Sequence, residues 1–170
     1  MAAMTGGLAL RWLRALLFTV LVPGTVTAWL PSAILGRRFA VPPMPWGMDE
    51  WAALIVIGLG VCVYGWCLWA FVVTGRGIPA PVDHPTRLVV RGLYRHVRNP
   101  MYFGVLLVLL GESALFATPV LLAYTAAWLL LVHVAILVYE EPNLRRKFGD
   151  EYARYVQEVP RWVPRLSRRV

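Results

Sequence analysis

Arg91-Gly-Leu-Tyr-Arg-His-Val-Arg-Asn-Pro-Met-Tyr102 opens a long apolar hairpin that closes on Glu140-Glu141-Pro142. Three arginines, a histidine and two tyrosines lead directly into an apolar run from Met101 to Ala117. Thr118-Pro119 makes an uncharged turn, and a second run, Pro119 to Tyr139, brings the chain back. With both arms rising about 1.5 Å per residue, Glu140 comes level with Val97 and Glu141 with His96. The basic, aromatic lead-in and the carboxylate pair therefore meet at one end of the hairpin. A solvated boundary does not need that combination, whereas a pocket for a polar ligand does.

Composition puts this hairpin in a membrane. The chain has 170 residues, 59% hydrophobic and only 15% charged, with mean hydropathy +0.61. A soluble domain carries about a quarter charged residues. Here the apolar residues lie in long blocks, and a bilayer leaves a spanning segment only helix or closed barrel. Two more blocks precede the hairpin, Leu8 to Leu30 and Trp51 to Val73. The fold class expected is all-α, a polytopic membrane protein of four transmembrane helices with a cytoplasmic amphipathic C-terminal helix. Residues 1–170 read as one membrane domain, with 1–74 a helix pair and 75–170 a loop, the hairpin and a lid. Arg11 and Arg14 ahead of an apolar run resemble a secretory signal, but the run is too long and no small-residue cleavage site precedes Pro31. A retained helix, kinked at Pro23-Gly24, is expected.

Net charge is +8, yet the basic residues sit at the ends of apolar blocks and no recognition motif accompanies them. Nucleic acid is thereby excluded as a partner, and the bilayer is favoured. Fifteen of the 17 basic residues fall before the first span, between the second and third, or after the fourth. The opposite side keeps only Arg37 and Arg38. The positive-inside rule then places both termini, and the mouth of the hairpin, in the cytoplasm.

Gly75-Arg-Gly-Ile-Pro-Ala-Pro-Val-Asp-His-Pro85 is expected to be stiff and extended, and Leu88-Val-Val90 to be a short extended piece. Past Glu141, residues Phe148, Tyr152, Tyr155, Val156 and Val159 draw one apolar face on a short helix. Such a helix either closes over the hairpin mouth or lies on the membrane as an anchor. Pro160 and Pro164 follow it, with Trp162 between them.

The candidate site residues each have two readings. Glu140 and Glu141 end a helix, where the macrodipole disfavours negative charge. They are neutralised by Arg95, Arg98, Arg145 or Arg146, or at least one of them faces an amine or hydroxyl of a ligand. Pro142 is expected to end the helix and so fix the pair. His133 shares their helical face, with Gly104 level across the hairpin, and either bonds a polar neighbour or lines the pocket. Glu112, deep in the third span, is level with Tyr124 and Thr125 and is either functional or a hydrogen-bonded structural carboxyl. Cys62 and Cys67 diverge by about 140° on one helix and neither pair nor chelate. No metal-ligand spacing, phosphate loop or nucleophile triad is present.

Gly92-Leu-Tyr94, Arg98-Asn-Pro-Met-Tyr102, Glu140-Glu-Pro142 and the tail Phe148-Gly-Asp-Glu-Tyr-Ala-Arg-Tyr155…Val159-Pro-Arg-Trp-Val-Pro164 together resemble one family. It is the isoprenylcysteine carboxyl methyltransferase-like membrane methyltransferases, related to the phospholipid N-methyltransferases. The resemblance covers roughly residues 75 to 165. It implies S-adenosylmethionine as cofactor, with Tyr94, Arg98, Asn99, Pro100 and Tyr102 in one binding motif and Glu140 and Glu141 in a second; His96, on the same loop, is a further candidate for cofactor binding. It also implies a lipophilic methyl acceptor, an isoprenylcysteine carboxylate or a phospholipid amine. Glu141 is the candidate base where a neutral amine must lose a proton. Many relatives have histidine where Asn99 stands; asparagine keeps a donor and an acceptor but does not titrate. Two other classes stay open, an NADPH-dependent membrane reductase of the sterol-reductase type and a non-catalytic transport or assembly protein.

Overall fold

A computed structural model describes residues 2–36, 43–75 and 88–164, and among them every regular element is a helix. The expected extended stretch ahead of Pro85 lies almost wholly outside the described residues, and Leu88–Val90 is neither helix nor strand. Six α-helices run α1 Ala2–Leu21, α2 Leu30–Leu35, α3 Met48–Ala70, α4 Pro100–Leu115, α5 Pro119–Ala135 and α6 Glu141–Glu158. Three wide π-helical turns extend them, at Thr25–Trp29, Phe71–Gly75 and Ile136–Glu140. Leu8–Leu35, Met48–Val73 and Pro119–Glu158 are long and apolar enough to cross a membrane. The apolar part of the last of these ends at Tyr139. Helix α4, with 16 residues, is the shorter fourth apolar helix.

Helix α4 is the centre of the bundle. It packs most extensively on α3 and also against α5 and the first π turn. The contact with α3 depends on glycine: a Cβ on Gly104 would lie 2.8 Å from the Tyr64 amide nitrogen, and one on Gly60 2.7 Å from the Gly104 carbonyl. Gly104 therefore serves the approach of two backbones, and its nearest neighbours are on α3 rather than at His133 across the hairpin. Below the glycines, Val105, Leu109 and Trp128 tie α4 to α5. The hairpin turns where expected, with Pro119 in the first turn of α5, where its missing N–H costs nothing. Ser113 and Thr125 hydrogen-bond across it at 3.3 Å. The exterior is apolar in keeping with a bilayer, with Leu17, Val20, Leu130 and Leu131 all exposed.

The break in the first span follows from Pro23. Proline has no N–H for the carbonyl four residues back, and the π turn that follows disturbs the ladder further. Two threonine hydroxyls bond back one turn beside the break, Thr25 to the Leu21 carbonyl at 2.6 Å and Thr27 to the Pro23 carbonyl at 2.9 Å.

Pro142 does not end the fourth span, contrary to expectation. The helix passes through the π turn Ile136–Glu140 into α6, with Pro142 in α6's first turn, where proline is tolerated. The direction changes at Gly149 instead, whose φ of 49° and ψ of −123° lie outside the helical region. The amphipathic stretch expected over Phe148 to Val159 is helical up to Glu158. Its Tyr152, Tyr155 and Val159 are buried together, packed against Leu88, Leu144 and Phe148.

Candidate active site

Gly92 begins the site, at a φ of +58° that favours glycine. A Cβ there would also meet Trp66 Nε1 at 2.8 Å. The tight turn Gly92–Arg95 that follows buries Tyr94 edge-on against Phe71, ring centroids 5.5 Å apart. Asn99 precedes a proline and is pushed out of the helical region, to φ −121° and ψ 50°. This directs Arg98 and Tyr102 from either side of the α4 start towards the end of the π turn.

There the two carboxylates separate. Glu141 is buried in a three-way ion pair: Arg98 Nη1 donates to Oε1 at 2.9 Å, while Arg161 Nε donates to Oε1 at 2.8 Å and its Nη2 to Oε2 at 3.1 Å. Glu140 instead accepts the Tyr102 hydroxyl at 3.0 Å. The expected register is therefore offset, since Glu141 meets Arg98 rather than His96 and Glu140 meets Tyr102 rather than Val97. Burial by itself raises the Glu141 carboxyl, but the Arg161 hydrogen bond and the charges of Arg98, Arg161 and Arg145 outweigh it and hold the group below its ordinary value. Burial raises Glu140, and the charge of Glu141 adds to the effect against the Tyr102 bond. Of the two adjacent carboxylates, Glu140 is thus the more basic.

The tail is strapped across this site. The Arg98 amide donates to the Pro160 carbonyl at 2.9 Å, and Asn99 Nδ2 to the Arg161 carbonyl at 3.4 Å. The Tyr155 hydroxyl donates to the Tyr94 carbonyl at 2.8 Å. Trp162 Nε1 donates to His133 Nδ1 at 3.0 Å, so His133 bonds a polar neighbour. Burial keeps the phenols of Tyr94, Tyr152 and Tyr155 above their usual range, so they are neutral donors at physiological pH.

Acid should release the strap. Glu141 titrates below its unfolded value, so its contribution is full above the ordinary glutamate value of 4.5 and disappears as pH falls through the lower folded value. Hydrogen exchange over residues 159–164 is expected to accelerate in that acid window, and Glu141→Gln to show the fast exchange already at neutral pH. Exchange that is slow and unchanged in the variant would mean that the ion pair does not hold the strap.

Tyr94, Arg98, Asn99, Tyr102, Glu140 and Glu141 all line one cavity of about 430 Å³, within the range of about 300–1,000 Å³ usual for small-molecule sites. His96 and Pro100 are not among its lining residues; Pro100 is buried in the first turn of α4. Tyr152, Tyr155 and Phe148 form the side of the cavity made by α6. Arg161, counted as a topogenic charge and part of the family-resembling tail, was not among the expected site residues. The signal available was the pair of prolines bracketing it, which stiffens the strap and limits where the guanidinium can reach.

The donor set suits an anionic and cationic ligand together. Arg98 Nε is buried without a hydrogen-bond partner, and an unmet buried donor costs about 1–3 kcal/mol. A ligand carboxylate would satisfy it, and Glu140 beside the phenols suits an ammonium or ribose hydroxyls. The carboxylate, ammonium, sulfonium and adenine of S-adenosylmethionine fit these groups.

Comparison with known proteins leads in the same direction. The family pattern described as phospholipid methyltransferase matches residues 48–151. Protein-S-isoprenylcysteine O-methyltransferase B of Arabidopsis thaliana is 32% identical over 78 residues, 46% of this chain and 40% of that protein. Methanethiol S-methyltransferase 1 of Bradyrhizobium diazoefficiens is 32% identical over 80 residues, 47% of this chain and 27% of its own. The nickel-cobalt-cadmium resistance protein NccN of Alcaligenes xylosoxydans xylosoxydans is 32% identical over 126 residues, 70% of this chain and 54% of that one. The chain thus spans about half, or less, of the length of these relatives. No solved structure matches it. Because the family pattern takes in more than half of the 170 residues and both arms of the polar cavity, the chain belongs to the phospholipid methyltransferase family.

Proposed function

We propose that this protein transfers a methyl group from S-adenosylmethionine to a lipophilic acceptor, of the isoprenylcysteine-carboxylate or phospholipid-amine type, at the cytoplasmic face of a membrane. The observation that carries the reading is the convergence of Tyr94, Arg98, Asn99, Tyr102, Glu140 and Glu141 on one cavity. When bound, S-adenosylmethionine supplies a methyl carbon already activated by its sulfonium. The protein's own work is then positioning and exclusion of water. Arg98 would hold the carboxylate through its unmet Nε, Tyr94 would offer a ring to the sulfonium or adenine, and Tyr152 and Tyr155 would close the side towards water. Glu141, held by two guanidiniums, is a positioning residue that ties the strap to the loop. Glu140 replaces it as the group that takes a proton from a neutral amine, since its carboxyl is the more basic of the two.

Calorimetry in detergent tests the cofactor: S-adenosylhomocysteine is expected to give a saturable heat and NADPH none. Heat with NADPH alone would establish the reductase reading, which the family match does not favour. Among the described residues no group of three or more His, Cys, Asp or Glu is placed to hold a metal ion.

The reading includes four membrane crossings, with α4 as the third, and both termini in the cytoplasm. Cysteine labelling is expected to find residues 43–47 on the far side of the membrane from residues 143–147. Labelling of both from the same side would overturn the topology.

A further inference from the structure

The strap reaches down the outside of a membrane helix. Trp162 Nε1 donates to His133 Nδ1, with the two rings 6.1 Å apart, and His133 belongs to the fourth span. It lies six residues to the membrane side of Tyr139, roughly 9 Å of helix from the end of the apolar run. On the same side of α5, Leu130, Val134 and Leu137 are all exposed. In a spanning helix such side chains meet lipid. An indole bonded to His133 beside them is therefore inside the apolar boundary and not in the water above it.

The sequence of the strap suits that place. Val163, next to Trp162, is 75% exposed, and an apolar side chain so placed costs least against acyl chains. Non-helical backbone at the edge of a bilayer needs its polar groups met within the protein. Pro160 and Pro164 have no N–H to leave unmet. The Val159 amide goes to the Tyr155 carbonyl, and the Pro160 and Arg161 carbonyls accept from the Arg98 amide and Asn99 Nδ2. Arg161 turns the opposite way from its neighbour, onto Glu141. The strap thus has a charged side on the site and an apolar side on the lipid-facing flank of α5.

We propose that Pro160 to Pro164 is a membrane-docking element, with Trp162 and Val163 seated in the acyl-chain edge of the leaflet nearest the site. Lipid contact then helps to hold Arg161 on Glu141, so the bilayer is a partner in closing the cavity as well as the solvent of the spans. This goes beyond the methyltransferase reading and does not depend on which cofactor or acceptor the cavity takes.

The first test places a nitroxide on Val163→Cys in the full chain in phosphatidylcholine nanodiscs. A Cys62→Ser background leaves only the buried Cys67 besides. The label is expected to collide with oxygen more than with an aqueous nickel chelate, like a reference label on the exposed Leu131 and unlike one on the exposed Glu151. A label at 163 that follows the Glu151 reference would put the strap in water and overturn the proposal. The second test is hydrogen exchange over residues 159–164 in the same nanodiscs. Val163→Asp, which charges only the lipid side, is expected to speed exchange there several-fold, whereas Val163→Leu keeps it slow. Exchange as slow in the aspartate variant as in the wild type would leave lipid no part in holding the strap, and the proposal would fall. Neither readout uses S-adenosylhomocysteine, so a failure of the cofactor reading in calorimetry remains a separate result.

Discussion

Arg98→Ala is expected to weaken S-adenosylhomocysteine binding by roughly thirty-fold or more, the equivalent of the 2–5 kcal/mol typical for removing one partner of a buried charge pair. The substitution removes the unmet Nε donor and one of the two guanidiniums on Glu141 together. Arg161 still reaches both oxygens of Glu141, so the strap stays in place. Glu141→Gln has the opposite pattern. It leaves Arg98 and Arg161 facing an amide that can accept from them but does not neutralise them, so both cofactor affinity and the strap are lost. Hydrogen exchange over residues 159–164 separates the two, slow in the arginine variant and fast in the glutamine variant. Wild-type affinity in both, with the helices intact, would remove this cavity as the cofactor site.

The second large effect concerns stability. Gly104→Ala is expected to destabilise the bundle by about 1–3 kcal/mol, the usual cost of overpacking, and Gly104→Val by more. The atoms that the new Cβ meets are the Tyr64 amide nitrogen and the Gly60 carbonyl oxygen, 2.8 and 2.9 Å away. Backbone of a neighbouring helix does not rotate aside as a side chain does, so α3 and α4 must separate. Gly58→Ala is the contrasting case on α3 itself. Nothing lies within 4 Å of its added Cβ, and alanine in a helix gains roughly 0.5–1 kcal/mol over glycine. Thermal unfolding in detergent should move down for one and level or up for the other. A Gly104→Ala protein that melts with the wild type would show that the helices do not interlock there. Because Tyr102 is two residues away on α4, the same substitution should also reduce the hold on Glu140.

Much of this was legible in the chain. Pro119 after an uncharged turn marked the hairpin, and the polar residues at its two ends marked the place where the polar cavity lies. The partner of His133 was foreseen in kind, a polar neighbour, but not as Trp162, because pairing 29 residues apart depends on how the strap folds back. The register failed for a physical reason. Counting at α-helical rise aligned Ser113 with Thr125 nearly as observed, but between there and Glu140 the helix widens at Ile136–Glu140. Pro142 was taken as a terminator because propensity disfavours proline inside a helix. The widened turn makes it a first-turn proline instead. Arg161 was hidden by its company, one basic residue in a basic tail. Gly104 was assigned to the wrong neighbour, since one sequence does not say which side of a helix its closest contact occupies.

The π turn at Ile136–Glu140 has a further implication for the family. A π turn holds one more residue than the α turn it replaces, and one residue is about 100° of rotation about a helix axis. The turn is thus a phase setting: it decides whether Glu140 and Glu141 point at Arg98 and Tyr102 or away from them. Winding the same residues into an unbroken α-helix would turn Glu140 and Glu141 by about 100°, out of that quadrant, whereas removing any one residue between Ile136 and Tyr139 would close the turn and leave them facing as they do. A relative that is one residue shorter here, with every motif letter intact, would keep its carboxylates in phase on a plain α-helix, and one of equal length without the widened turn would have them out of step.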